Sequence, residues 1–304
     1  MSDIAATVAN VISQNVPVHE YERVLVLTDN TTAPVAEEFI AGLRAHGVEP
    51  SVHQMIDLSK SGEEPPKEAV EAIRSADLVF AMTKHSLTHT SARKQANAQG
   101  IAFVTMPGIT STMLTEGAMT ADYARVEAET LAMTARLTAA SLVRIRTGVD
   151  RVLEVPVAER HGIASTGVYR TRGTSGNLPS GEAYIAPDEG KASGLLEVNG
   201  SIAGLGLVTE PVLLTIAEGR LVDATGDTGN KLLGLLGDGP GRNVAELGIG
   251  TNHAARVIGN ILEDEKAYKT IHIAFGSNDT FGGTVAAGVH IDCIVIEPRV
   301  EWEF

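Results

Sequence analysis

Residues 23–47 read RVLVLTDNTTAPVAEEFIAGLRAHG, and this stretch decides the fold class of the first half of the chain. RVLVLT (23–28) is a short apolar run bounded by polar residues, which is the pattern of a buried strand. APVAEEFIAGLRAHG (33–47) follows, with apolar residues at helical spacing and a glycine stop at Gly47. The alternation then repeats. VEPSVHQMI reads as a strand, and PPKEAVEAIRSA as a helix whose prolines stand where a missing N–H costs nothing. DLVFAMT (77–83) is a second buried-type strand, SARKQANAQG a helix ending at Gly100, and IAFVTMP a further strand. A long Ala-, Thr- and Met-rich stretch predicts a helix from about 112 to 146. Strands alternating with helices imply right-handed crossovers and a parallel sheet covered on both faces. Residues 1–150 are therefore expected to form a Rossmann- or flavodoxin-like α/β layer domain. The first strand–helix turn, LTDNTTAPVAEE, has no glycine to let a backbone approach a pyrophosphate. A structural or dimerising role for this half is favoured over a dinucleotide site.

From about residue 150 the rhythm changes. RVLEVPV, GLLEVNGS, PVLLTIAEGRLVDA, KTIHIAFG and AAGVHIDCIVIEP are short strand-like pieces separated by Gly, Asp, Asn and Ser turns. Helical pattern is confined to about 228–237 and 252–263. Residues 151–304 are expected to form a β-rich α+β domain. The formal charge of −14, from 38 acidic and 24 basic residues, argues against nucleic acid or anionic membrane as partner, since both need clustered Lys and Arg. Aromatics, at 4%, leave few surfaces for stacking bases. A single cysteine, Cys293, forms no internal disulfide and reads as a buried reduced thiol. With no signal-peptide pattern at the start and no run of about 18 apolar residues, a cytoplasmic protein is expected.

The chemistry concentrates in the second half. VHIDCIVI (289–296) puts His290 and Asp292 on one face of a strand and Ile291 and Cys293 on the other. A His and an Asp side by side on a core strand are costly unless they bind a ligand or pair with each other. In TIHIAFG, Ile271, Ile273 and Phe275 are strongly apolar, which leaves His272 on the opposite face with Ala274. Glu182, in NLPSGEAYIAP, and Glu246, in NVAELGIGTN, are carboxylates in apolar settings, where acids are rare unless paired or coordinating. Three carboxylates and two imidazoles suit a divalent ion such as Zn²⁺, Mn²⁺ or Co²⁺. Five ligands exceed the three-plus-water of one catalytic zinc and suit a pair of ions about 3.5–4 Å apart. His253 follows the Glu246 loop and is a candidate proton shuttle; His85 and His89, at i,i+4, would clasp a metal only if helical. LEDEKAYKT (262–270) reads as a solvated charged turn. HExxH, GxSxG, Walker and CxxC patterns are absent.

NLPSGEAYIAP, AELGIGTNHAARVIGN, LEDEKAYKTIHIAFG and AGVHIDCIV resemble the metalloaminopeptidase family of aminopeptidase T, aminopeptidase S and PepS, in order and with similar gaps. The resemblance implies that Glu182, Glu246, His272, His290 and Asp292 ligate a two-metal centre, and that a homodimer hydrolyses short peptides with a metal-activated water. It also exposes a departure. The family's catalytic tyrosine falls at Asp279, and an ionised Asp cannot donate a hydrogen bond to an oxyanion. Peptide hydrolysis is the leading expectation, with Glu246, Glu182, Asp279 and His253 as candidate catalytic residues. The fold also resembles 2,5-dihydroxypyridine 5,6-dioxygenase, so His272, His290 and Asp292 holding Fe(II) for ring cleavage is the alternative. Retention of Glu182 and Glu246 favours the hydrolase; a catalytically idle metal-binding protein is the third reading.

Overall fold

The computed structural model describes residues 3–304, which divide into two compact units. One contains the residues up to Glu127 together with Gly167–Ser180; the other contains Ala128–Thr166 and Gly181–Phe304. Among the described residues no helix is long and apolar enough to cross a membrane.

The first unit is built on a five-stranded parallel sheet, as the alternation predicts. Val24–Asp29 pairs with Ser51–Met55 on one side and Leu78–Met82 on the other; Ala102–Thr105 follows, and Ser175–Asn177 forms the far edge. Helices Ala33–Ala45, Lys67–Arg74 and Ser91–Ala98 provide the crossovers. Leu25, Leu27, Val79 and Phe103 pack with Ala69, Ile73 and Ala96 in one cluster. Phe80 is fully buried too, its ring edge-on to Phe39 at 5.1 Å. The glycine-free first turn closes on itself. The buried Asp29 carboxylate accepts from the Thr32 amide and hydroxyl and from the Lys84 amide.

Two helix expectations fail. The predicted 112–146 helix breaks into Ser111–Thr115, a 3₁₀ turn at Gly117–Thr120 and a helix at Tyr123–Ala139, then becomes the strand Leu142–Thr147. Gly117, at φ +76°, ends the first helical turn. LVRIRT alternates and pairs with Arg151–Pro156 instead of continuing the helix. At 252–263 only Ile261–Asp264 is helical. Asn252 and Asp264 accept hydrogen bonds from the amides of Ala254, Ile258 and Gly259, which holds the rest as turns.

The second unit is a sandwich of two sheets whose inner faces share one apolar core. The six-stranded sheet includes Leu142–Thr147, Arg151–Pro156, Ser193–Val198 and Val212–Ala217. The seven-stranded sheet has at its centre Glu182–Ile185, Val244–Gly250, Thr270–Gly276 and His290–Ile296, all paired antiparallel. Ile185, Leu247, Ile249, Ile271, Ile273, Phe275, Ile291, Cys293 and Val295 alternate into that core. Cys293 is fully buried there, and burial raises its thiol pKa, so it is an inert packing residue.

Candidate metal centre

Because side chains alternate across a sheet, the residues that do not enter the core share the opposite face. The register names them. Tyr184 is opposite Gly248, and Gly248 opposite His272; Glu182 is opposite Gly250; Ala274 stands between Glu246 and Asp292; His290 is opposite Gly276. Four strands thus bring Glu182, Glu246, His272, His290 and Asp292 to one face. A β-bulge between Val244 and Glu246 lies beside the site, a common place for a strand to re-aim a side chain. The glycines opposite the ligands make room: a Cβ on Gly248 would collide with the His272 imidazole.

The five residues converge closely. His272 Nε2 is 3.1 Å from Glu246 Oε1 and 3.8 Å from Glu182 Oε2. His290 Nε2 is 3.4 Å from Asp292 Oδ1 and 3.6 Å from Glu246 Oε2. His290 Nδ1 lies 2.8 Å from the Ser277 carbonyl, to which it donates as N–H, so Nε2 is left for the site. Two groups of donor atoms lie within 4.8 Å of one another: Glu246, His272 and Asp292, and Glu182, Glu265 and His272. Buried carboxylates this close repel unless cations intervene. Burial opposes charge on His272, but the hydrogen bond and charge of Glu246, with Glu182 and Asp292, push its pKa up to about 9. Burial is likewise outweighed at His290, where Asp292 and Glu246 raise the pKa to about 10. Both shifts record a site short of positive charge. Glu182 Oε2 is buried without a hydrogen-bond donor among the described residues, an acceptor that a cation would satisfy. A divalent ion therefore fits this donor set.

Several residues here escaped the sequence reading. The charged stretch 262–270 is not a solvated turn: Glu263, Asp264 and Lys266 are fully buried. Its backbone is clamped to Asn252, whose amide donates to the Lys266 carbonyl at 2.9 Å and whose carbonyl accepts from the Tyr268 amide at 3.0 Å. Lys266 Nζ thereby reaches Glu182 Oε1 at 3.0 Å and donates to Glu265. Asp264 accepts from the Ser201 hydroxyl at 2.5 Å and from backbone amides. Phe281, on the loop after Thr270–Gly276, meets His290 edge-on at 5.8 Å and Tyr184 at 5.7 Å. Burial, with the nearby Glu246 and Glu182 charges, raises the Tyr184 pKa. Composition offered no signal for any of these, since four consecutive charges ordinarily stay in water.

The remaining candidates are not in the two donor groups. Asp279 is exposed on the turn two residues before Phe281. His253 Nε2 is 2.7 Å from Glu129 Oε2, and its ring stacks on Tyr268 at 3.7 Å. The His85–His89 segment is not helical, so its i,i+4 clasp does not form.

A family model described as Thermophilic metalloprotease (M29) matches residues 108–287, 180 of the 304 residues. The fold is shared with 2,5-dihydroxypyridine dioxygenase from Pseudomonas putida KT2440, at TM-score 0.78 and 17% identity, covering 99% of this chain and 94% of that one. It is also shared with wild-type AmpT from Thermus thermophilus, at TM-score 0.69 and 16% identity, with the same coverages. No curated protein sequence matches the chain. The matched span contains Glu182, Glu246 and His272 and ends three residues before His290, so it takes in most of the sheet face just described. On that match over more than half its length, the chain belongs to the thermophilic metalloprotease (M29) family.

Proposed function

We propose that this metalloprotease-family enzyme is an aminopeptidase that removes N-terminal residues from short peptides, with Glu182, Glu246, His272, His290 and Asp292 supplying its metal centre. The convergence of these five side chains on one sheet face is the observation that supports the reading most directly. Zn²⁺, Mn²⁺ or Co²⁺ held there would act as a Lewis acid, acidifying water and polarising a peptide carbonyl.

The chain's own residues have distinct tasks in this proposal. Ser277 fixes the His290 ring through Nδ1, so that Nε2 is presented in one tautomer. Glu246, whose Oε1 lies 3.1 Å from His272 Nε2 and whose Oε2 lies 3.6 Å from His290 Nε2, would take a proton from the attacking water and pass it to the leaving amine. Proton transfer of this kind is worth roughly 10²–10⁴-fold. Lys266 pins Glu182. Phe281 packs edge-on against both Tyr184 and His290 and gives the site an aromatic wall. Asp279, exposed on the adjoining turn, offers an anion for the substrate's free amino terminus. A cytoplasmic homodimer is part of the same proposal.

Dipeptides and aminoacyl amides, each with free and acetylated N-termini, test the reading against Zn²⁺-, Mn²⁺- and Co²⁺-loaded protein. Cleavage that requires the free amine and drops about 10²–10⁴-fold in Glu246→Gln is expected. If no loaded sample cleaves any substrate, and Fe(II) with oxygen opens a hydroxypyridine ring, the peptidase reading gives way to the dioxygenase.

A further inference from the structure

The sheet face that carries the five ligand residues also carries a phenol. Tyr184 stands two residues after Glu182 on the strand Glu182–Ile185, so both side chains leave the sheet on that face. Across the sheet it is opposite Gly248, which in turn is opposite His272. The His272 ring occupies the space that a Cβ on Gly248 would fill, so no side chain at that position separates imidazole from phenol. We propose that Tyr184 is a catalytic residue of this centre, whose hydroxyl donates a hydrogen bond to the oxyanion formed when water adds to the scissile carbonyl. This inference rests on the peptidase reading above and deepens it.

Three observations carry it. The hydroxyl is near the reacting groups: burial aside, the charge it feels most strongly is that of Glu246, followed by Glu182 and Glu265. Second, the hydroxyl is available. Tyr184 is partly exposed, and no hydrogen bond among the described residues engages its O–H. Thr270, the other hydroxyl on this face of the four central strands, is buried and donates to the Ala267 carbonyl at 2.7 Å. Third, the ring is braced. Phe281 meets it edge-on at 5.7 Å and meets His290 at 5.8 Å, and a donor fixed in advance is what makes oxyanion stabilisation effective. Neighbouring groups do not offer the same bond. Ionised Asp279 has only acceptors, and the Lys266 ammonium is fully buried against Glu182 and Glu265. The step balances without a further reagent. Glu246 takes a proton from water as the new C–O bond forms, and the carbonyl π pair moves onto oxygen, where Tyr184 donates its hydrogen bond and keeps its proton. That pair then restores the carbonyl as the C–N bond breaks, and the amine nitrogen takes the bonding pair and the proton from Glu246.

Tyr184→Phe removes the hydroxyl and keeps the ring against Phe281, so the Zn²⁺ content and Tm of the full-length protein are expected to match the wild type. For a dipeptide that the Zn²⁺-loaded wild type cleaves, kcat should fall about 10²–10³-fold with KM unchanged. A phosphonic acid analogue of the dipeptide, whose tetrahedral oxygens mimic the oxyanion, is titrated by calorimetry. Its affinity should fall by a similar factor, while the product amino acid binds variant and wild type alike. A kcat loss below about tenfold, or undiminished affinity for the phosphonate, would overturn the inference. So would a kcat loss in Thr280→Val, which removes the exposed hydroxyl of the adjoining turn, that Tyr184→Phe does not share. Loss of fold or of Zn²⁺ in Tyr184→Phe would overturn it too, since a hydroxyl with no structural partner supports neither. A wild type that cleaves no dipeptide would instead overturn the peptidase reading itself, so the two failures are distinguishable.

Discussion

Gly248→Ala isolates the geometry of the site from its chemistry, because it adds one methyl group and removes no ligand. Gly248 is a buried strand residue outside the positive-φ region, so alanine fits its backbone without strain. The added Cβ would lie 2.8 Å from His272 Cδ2 and closer still to Cε1 and Nε2. Ordinary carbon contacts are at roughly 3.5–4.0 Å, so the imidazole must retreat by about 1.5–2 Å. His272 is fully buried and cannot swing into water. Overpacking of this kind costs about 1–3 kcal/mol, and at roughly 2–4 °C per kcal/mol for a domain of this size the expected loss in Tm is about 2–12 °C. Metal affinity should suffer more. Ligand distances tolerate only about ±0.2 Å, and disturbing a ligand's support typically costs about 10–100-fold. Isothermal titration with Zn²⁺ or Mn²⁺ and a melting curve of the metal-free protein read the two effects separately. Wild-type metal affinity in Gly248→Ala would refute the reasoning, since it would mean that His272 either does not pack on Gly248 or does not bind the ion.

Gly234→Ala is the matching control: the residue is exposed in the helix Gly226–Leu236 with nothing near its missing Cβ, so it should gain about 0.5–1 kcal/mol in denaturant melts and leave metal binding unchanged. His253→Ala removes the contacts to Glu129 and Tyr268, and should leave the metal count at its wild-type value by elemental analysis; loss of metal would return His253 to the centre. Phe39→Ala empties a fully buried site against Phe80 and should cost the parallel-sheet unit about 3–5 kcal/mol in chemical denaturation, and a loss under 1 kcal/mol would show the packing to be looser than it looks.

Local pattern in the sequence determined much of this protein. RVLVLT followed by a helix stopping at Gly47 specifies a strand and a crossover, because period and punctuation are properties of neighbouring residues. HIDCIVI and TIHIAFG announced which residues share a face, since a strand's period of two needs no knowledge of its partners. Which strands become neighbours is different: it depends on contacts between residues far apart in the chain. Only the tertiary structure set Glu246 beside His272 across the antiparallel pairing, and only it returned Ser175–Asn177, a segment without apolar residues, to the edge of the parallel sheet. The helix expected to run to about 146 failed for the same reason: LVRIRT is held as a strand by its partner Arg151–Pro156. The burial of Lys266 is the sharpest case. Four consecutive charges favour water on any local reckoning, and Lys266 enters the interior only because Glu182, 84 residues earlier, and Glu265 meet its ammonium there.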